Sequence, residues 1–335
     1  MNAARTFLLI LLLAGFPACR RAAQPVVRDT AAMDTYVTIT VYDDLPAARV
    51  NAAIDSAFVE IRRIEGFASD YIDTSEIGRV NLMSGRDSLV ISSELTDLLR
   101  RSFAYGDSSG GAFDVTVGPL ELLWNILAVR PRVPSPDSVH DALRLVGYRL
   151  VSLHGRTLYL PRKGMRLDLG AIGKGYAVDR AMDVLAGAGV TMAIVDMGGN
   201  LAVRWPGSRG WDSTVATISV RHPRTEGAFL GTFRYGSGGV STSGDYERYF
   251  IAGGKRYHHI MDPATGYPAP GVVSVTVVAP TAADADAIST TVFVLGRAKG
   301  MEFMQRTPGV DGFIVYEQGD SLGIDFSPGF RGRLR

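Results

Sequence analysis

The chain contains a single cysteine, Cys19, and that limits how it can be held together. One cysteine closes no internal disulfide and builds no multi-thiolate zinc or iron–sulfur site. A fold of this chain therefore rests on a hydrophobic core. Composition provides for one, since 46% of the 335 residues are hydrophobic and 21% are charged. Such a balance belongs to globular proteins rather than disordered ones. The length allows one large domain or two. A formal net charge of +1 argues against a nucleic-acid-binding surface.

The position of Cys19 is informative in itself. Arg5 precedes an apolar run from Phe7 to Phe16, a basic start and short apolar core of the kind found in secretory signals. The run is too short to span a bilayer as a mature helix. Ala18 directly before Cys19 resembles a bacterial lipobox, from which Phe16 and Pro17 depart. The competing reading is an ordinary signal peptide with an incidental cysteine. The expectation is a signal segment over residues 1–18, a tether over 19–28 and one domain over 29–335. Cys19 would carry the lipid, and two acyl chains suffice for stable anchoring. The mature protein would be exported, periplasm-facing and anchored to a membrane.

Periodicity gives the outline of the domain. Tyr36 to Tyr42 alternates and is rich in β-formers, which predicts a strand. Ala47 to Ile64 predicts an amphipathic helix, with Val50, Ile54, Ala57, Phe58, Ile61 and Ile64 on one face. Helices are also predicted over Ser93 to Tyr105 and Asp284 to Leu295. Short strands are predicted over Thr191 to Val195 and Leu201 to Trp205, on either side of a turn at Met197 to Asn200, and another over Val272 to Val278. The hairpins favour an α+β fold with antiparallel or mixed sheets and packed helices over a doubly wound parallel sheet.

The obvious nucleotide motifs fail. Met192 spoils a dinucleotide fingerprint at Gly187-Ala188-Gly189. Gly173-Lys174 lacks Walker A spacing, and no nucleophile elbow surrounds Ser241 or Ser243. Four other segments carry chemistry. Asp168 to Tyr176 leads from a predicted strand into a helix through Gly170, Gly173 and Gly175. It suits either phosphate binding at a helix start, assisted by Lys174, or plain close packing. Asp286 and Thr290 are four apart and share a helix face, a pairing that can help to hold a hard cation such as Mg²⁺. The rival reading makes Asp284 an N-cap and Asp286 a first-turn acid. His258-His259 lies beside Asp262 in a turn containing Pro263 and Gly266, and a histidine near an acid suits general-base work. Gly110 to Leu120 offers backbone to a flat ligand, with Phe113 or Trp124 as aromatic surface.

Taken in this order and spacing, these segments resemble the ApbE family, the flavin transferases that move FMN from FAD onto proteins. The likeness runs from about Met33 to Gly296. It rests on Met33-Asp34-Thr35, Thr74 to Asn81, Ala112 to Leu120, Asp168 to Asp179, Val195 to Asn200, Ser241 to Tyr246, His259 to Pro268 and Ala285-Asp286-Ala287. The resemblance implies a single ApbE-like, T-fold-related α+β domain. FAD contacts would come from Met33, Tyr71, Ala112, Phe113, Asp114, Asp168, Lys174 and Met261. Mg²⁺ would be held by the Ala171 carbonyl, Asp286 and Thr290. Departures from the family pattern are Asp34 where glycine is common, Gly173 where alanine is common, Asn200 where an acid is frequent, and Ser289 where some members carry an acid.

The implied reaction is phosphoryl transfer from FAD to a Thr or Ser hydroxyl of an acceptor protein, with AMP leaving. His259 would be the base, oriented or assisted by Asp262. The acceptor would be a subunit of a membrane redox complex, and no nucleic acid takes part. Asp262-Pro263-Ala264-Thr265-Gly266 copies the first half of the acceptor motif, but Tyr267 breaks it, so self-modification is not expected. The alternatives are Mg²⁺-dependent hydrolysis of FAD to FMN and AMP, or a non-catalytic exported FAD-binding lipoprotein.

Overall fold

The computed structural model describes residues 24–206, 216–319 and 321–335. The expected signal segment, with Cys19, lies outside the described residues. Among the described residues no helix is long and apolar enough to cross a membrane.

The centre is an eight-stranded sheet whose spatial order follows the chain. Its strands are Val26–Ala32, Thr35–Val41, Ala193–Met197, Asn200–Arg204, Gly238–Gly244, Ser274–Ala279, Asp311–Gln318 and Ser321–Phe326. Every neighbouring pair is antiparallel. Alternation in Thr35–Val41 turns Val37, Ile39 and Val41 inward. Ser274–Ala279 is buried at every position because it is covered on both faces. Val275 and Val277 pack with Ile288, Val292 and Phe293 of a helix, whereas Val278, Phe313 and Val315 pack with Ile218 and Phe233 of an outer hairpin.

The helix face carries Ala47–Ala68, Gly173–Gly187 and Ala282–Arg306, with Ser93–Ser108 against the last of these. Gly175 fixes the closeness of the middle two. A Cβ there would lie 2.2 Å from the Ala282 carbonyl oxygen. Asp179, one turn further on, accepts hydrogen bonds from the amides of Ala282 (2.8 Å) and Ala283 (2.9 Å). That carboxylate satisfies amides that a helix start leaves orphaned.

Several expected boundaries move. Residues 26–28 belong to the first strand, which pairs along its whole length with Thr35–Val41, and not to a tether. Residues 165–169 form no strand. Thr281, not Asp284, is the N-cap of the Ala282 helix, and its hydroxyl accepts from the Asp284 amide. That helix breaks at Gly296, whose φ of 77° no helical residue adopts, and then resumes to Arg306.

Candidate functional site

Asp286 sits near the start of the Ala282 helix, and its side chain is almost wholly buried. One carboxylate oxygen accepts from the Gly175 amide at 2.9 Å. No ion pair neutralises it among the described residues, although the charge of Lys174 lies close enough to favour its ionised form. Burial pushes its carboxyl above the usual range. A buried carboxylate with one hydrogen bond and no cation of its own fits the place of a cation ligand. Thr290 follows one turn later, its Oγ 3.3 Å from that of Ser243. Ala171 is half-buried in the lead-in to the Gly173 helix.

Behind these groups runs a line of hydroxyls. Ser289 donates to the Asp286 carbonyl at 3.0 Å and lies 2.9 Å from Ser243 and 3.1 Å from Ser241. Ser241 donates in turn to Asn200 Oδ1 at 2.7 Å. The Ser289 hydroxyl is thus engaged with the Asp286 carbonyl, Ser241 and Ser243. No cluster of three or more histidine, cysteine or acidic side chains gathers for a metal among the described residues. Carboxylate, hydroxyl and carbonyl oxygens remain, a donor set that suits a hard ion such as Mg²⁺.

The Gly173 helix begins at Ile172, which offers no side-chain cap. Lys174 Nζ donates to the Gly170 carbonyl at 2.7 Å, which folds the cation back over the helix start. Its charge is felt by both Asp286 and His259, so the second and third sequence segments meet here. The half-buried His259 imidazole is pushed down to about 3 by its withdrawal from water, then by Arg248, His258 and Lys174. It is uncharged at neutral pH. His258 faces the other way. Its Nε2 donates to the Ala269 carbonyl at 3.0 Å, its Nδ1 accepts from the Ile260 amide, and its ring stands edge-on to Phe293.

An acidic group borders the other end of the site. Asp168 Oδ1 accepts from the Gly170 amide at 2.5 Å. Glu121 is hydrogen-bonded to Asp168; burial and then that neighbour push its carboxyl well above the usual range. Asp70 is raised to about 6 by burial and by Asp168, against the pull of Arg166 at 3.0 Å. The exposed Tyr71 reaches the same group, and partial burial followed by the charges of Asp168 and Glu121 pushes its phenol up to about 12.

Three comparisons bear on this arrangement. The model of the ApbE family matches residues 33–314. A Treponema pallidum protein named FAD:protein FMN transferase is 35% identical, with 93% of this chain and 91% of that one covered. A Klebsiella pneumoniae protein of the same name is 32% identical over 84% and 85%. The solved structure of the ApbE protein from Thermotoga maritima is 32% identical, with a TM-score of 0.82 over 93% of this chain and 100% of that one. The chain belongs to the ApbE family. The fold is accordingly the α+β arrangement of solved ApbE structures, including the flavinyl transferase ApbE of Pseudomonas stutzeri at 28% identity, TM-score 0.80 and coverage of 92% and 96%.

Within this ApbE frame some expected residues stand elsewhere than the sequence suggested. Asp262 does not orient His259. Its carboxylate closes its own turn, accepting from the Ala264 amide at 2.9 Å and the Thr265 hydroxyl at 3.0 Å. The His259 ring instead meets the Arg248 carbonyl, 3.4 Å from Nδ1. Phe113 is buried against Tyr105, and Trp124 is buried under Tyr257 with its Nε1 donating to the Gly266 carbonyl at 2.8 Å. Neither ring is an open aromatic surface. Asp114 accepts from the Thr116 amide and hydroxyl and from the Tyr148 amide, so it shapes its loop. Met261 is buried in the Trp124 cluster. Ala112 and Gly110-Gly111, the glycines left-handed, leave backbone as what this segment presents. Met33 is half-buried, leaning towards Gly173, where a Cβ would meet its methyl at an ordinary 3.6 Å. The alanine common at this position in the family therefore fits here.

Asp70, Glu121, Arg166 and Arg248 escaped the sequence reading. Asp70 adjoins Tyr71 and Glu121 follows Leu120, so both lie at the edge of quoted motifs. Nothing in their spacing tied them to Asp168.

Proposed function

We propose that this chain transfers the FMN part of FAD to a Thr or Ser hydroxyl of an acceptor protein and releases AMP. The observation that carries the reading is the meeting of an uncharged His259, the Lys174 cation and the buried, unneutralised Asp286 at one helix start. The names of the relatives support the same reading.

The acceptor oxygen forms a bond to the flavin-side phosphorus while the bridging P–O bond to AMP breaks. His259 takes the hydroxyl proton, and AMP leaves with the bridging oxygen. Lys174 and the amides at the start of the Gly173 helix attract the pyrophosphate. Asp168 and Tyr71 border the flavin end. The Ala171 carbonyl, Asp286 and Thr290 would hold Mg²⁺, which when bound neutralises charge on the phosphates. The acceptor belongs to a membrane redox complex, and the enzyme is exported and anchored by lipid at Cys19, which lies outside the described residues.

Incubation with FAD, Mg²⁺ and a peptide carrying the acceptor motif tests the reading. Covalent flavin on the peptide is the expected result. Free FMN with AMP and no labelled peptide would make the chain a hydrolase, and unchanged FAD a binder.

A further inference from the structure

Met33 and Asp34 link the first two strands with φ values of 50° and 57°. Side chains other than glycine rarely accept that region, and aspartate is among the few that tolerate it. The turn is tied down on one side by Glu65, which accepts from the Met33 amide at 2.7 Å. On the other side Asp34 Oδ2 accepts from Arg248 Nη2 at 2.8 Å, across 214 positions of chain. Asp34 is two-thirds exposed, so the pair does little for global stability. Its place in the fold is more telling than its strength. Arg248 is the residue whose carbonyl meets both the main-chain amide of His259, at 3.1 Å, and its Nδ1, at 3.4 Å. A carbonyl oxygen only accepts, so the hydrogen of the neutral ring sits on Nδ1 and Nε2 carries the lone pair.

We propose that the Asp34–Arg248 ion pair positions His259, steadying the Arg248 carbonyl so that the imidazole is held as the Nδ1–H form with Nε2 turned to the acceptor hydroxyl. Asp34 is a positioning residue under this proposal, which rests on the transfer reading above. It performs at a distance the orienting task that the sequence suggested for Asp262. It also connects the Met33 turn, beside the Gly173 helix, to the base.

Asp34→Gly tests it without endangering the fold, since glycine adopts φ near 57° freely. The expected kcat for peptide flavinylation falls about fivefold, corresponding to the ~1 kcal/mol ceiling of an exposed ion pair. KM for FAD stays within about twofold, and Asp34→Asn, which keeps an acceptor for Arg248, recovers part of the rate. The ¹⁵N signals of the His259 ring shift from the Nδ1–H pattern towards a mixture of tautomers. Unchanged ring signals in Asp34→Gly overturn the proposal, as does a raised KM with kcat intact. If the wild type transfers no flavin, the transfer reading fails, and the ring signals still decide whether Asp34 governs His259.

Discussion

At neutral pH the His259 imidazole carries no charge, because its environment holds its pKa at about 3 against an ordinary 6.5. His259→Ala should keep FAD binding and lower flavin transfer by about 10²–10⁴-fold, the usual cost of a general base. Stopped-assay rates beside a flavin-binding titration would check this, and near-normal transfer would exclude the assignment. The same depressed pKa has a consequence for stability. Below pH 6.5 the unfolded chain takes up a proton on this ring that the folded chain refuses, so stability is full above 6.5 and drains away as pH falls towards 3. His259→Ala removes that drain. Its Tm should drop less than the wild type's between pH 7 and pH 5, measured without ligand. Legibility at this scale divided by cause. Asp286 and Thr290 were visible because helical spacing puts i and i+4 on one face. Asp262 misled because adjacency in a turn looks like partnership, whereas an aspartate there binds its own backbone. Arg248 was invisible, since a carbonyl's role leaves no mark on residue type.

The Gly173 and Ala282 helices act as one unit. Gly175 allows their contact, Asp179 caps the second helix from the first, and Asp286 returns a bond to the first helix through the Gly175 amide. Asp179→Ala orphans two amides and should cost about 1–2 kcal/mol, within the range for lost helix caps. Urea unfolding at pH 7 gives that number, and a change within error would show the capping bonds to be idle. By sequence alone the glycines of this segment suit either phosphate binding or packing. Gly175 is accounted for by packing, while Gly173 has room for a Cβ. The Gly296 break was hidden because a glycine there reads as a helix stop, although buried Phe303 and Met304 carry the apolar face beyond it. A predicted end at Leu295 and a real kink at the next residue look alike in sequence.

On the scale of the whole molecule, the antiparallel sheet could be read from its hairpins, because short alternating runs around Gly-rich turns have few other outcomes. Its edge strand was missed. Val26 to Arg28 mixes charge with apolar residues and forms a strand through its pairing with Ile39 to Val41. The outer hairpin that covers the second sheet face was likewise unannounced, since its inward residues Ile218, Val220 and Phe233 make sense only opposite Phe313 and Val315. Beyond the described residues, the anchoring proposal has its own test. Cys19→Ser should move the protein from the membrane pellet to the soluble periplasmic fraction, and unchanged partitioning would reject lipidation.

The central claim is that a hydroxyl of another protein, and not water, takes the phosphoryl group. Its most direct measurement is the ratio of AMP released to flavin covalently attached to an acceptor-motif peptide, in the presence of FAD and Mg²⁺. One AMP for each flavinylated peptide, with no free FMN, is the predicted result; AMP accompanied by free FMN and an unlabelled peptide would contradict it.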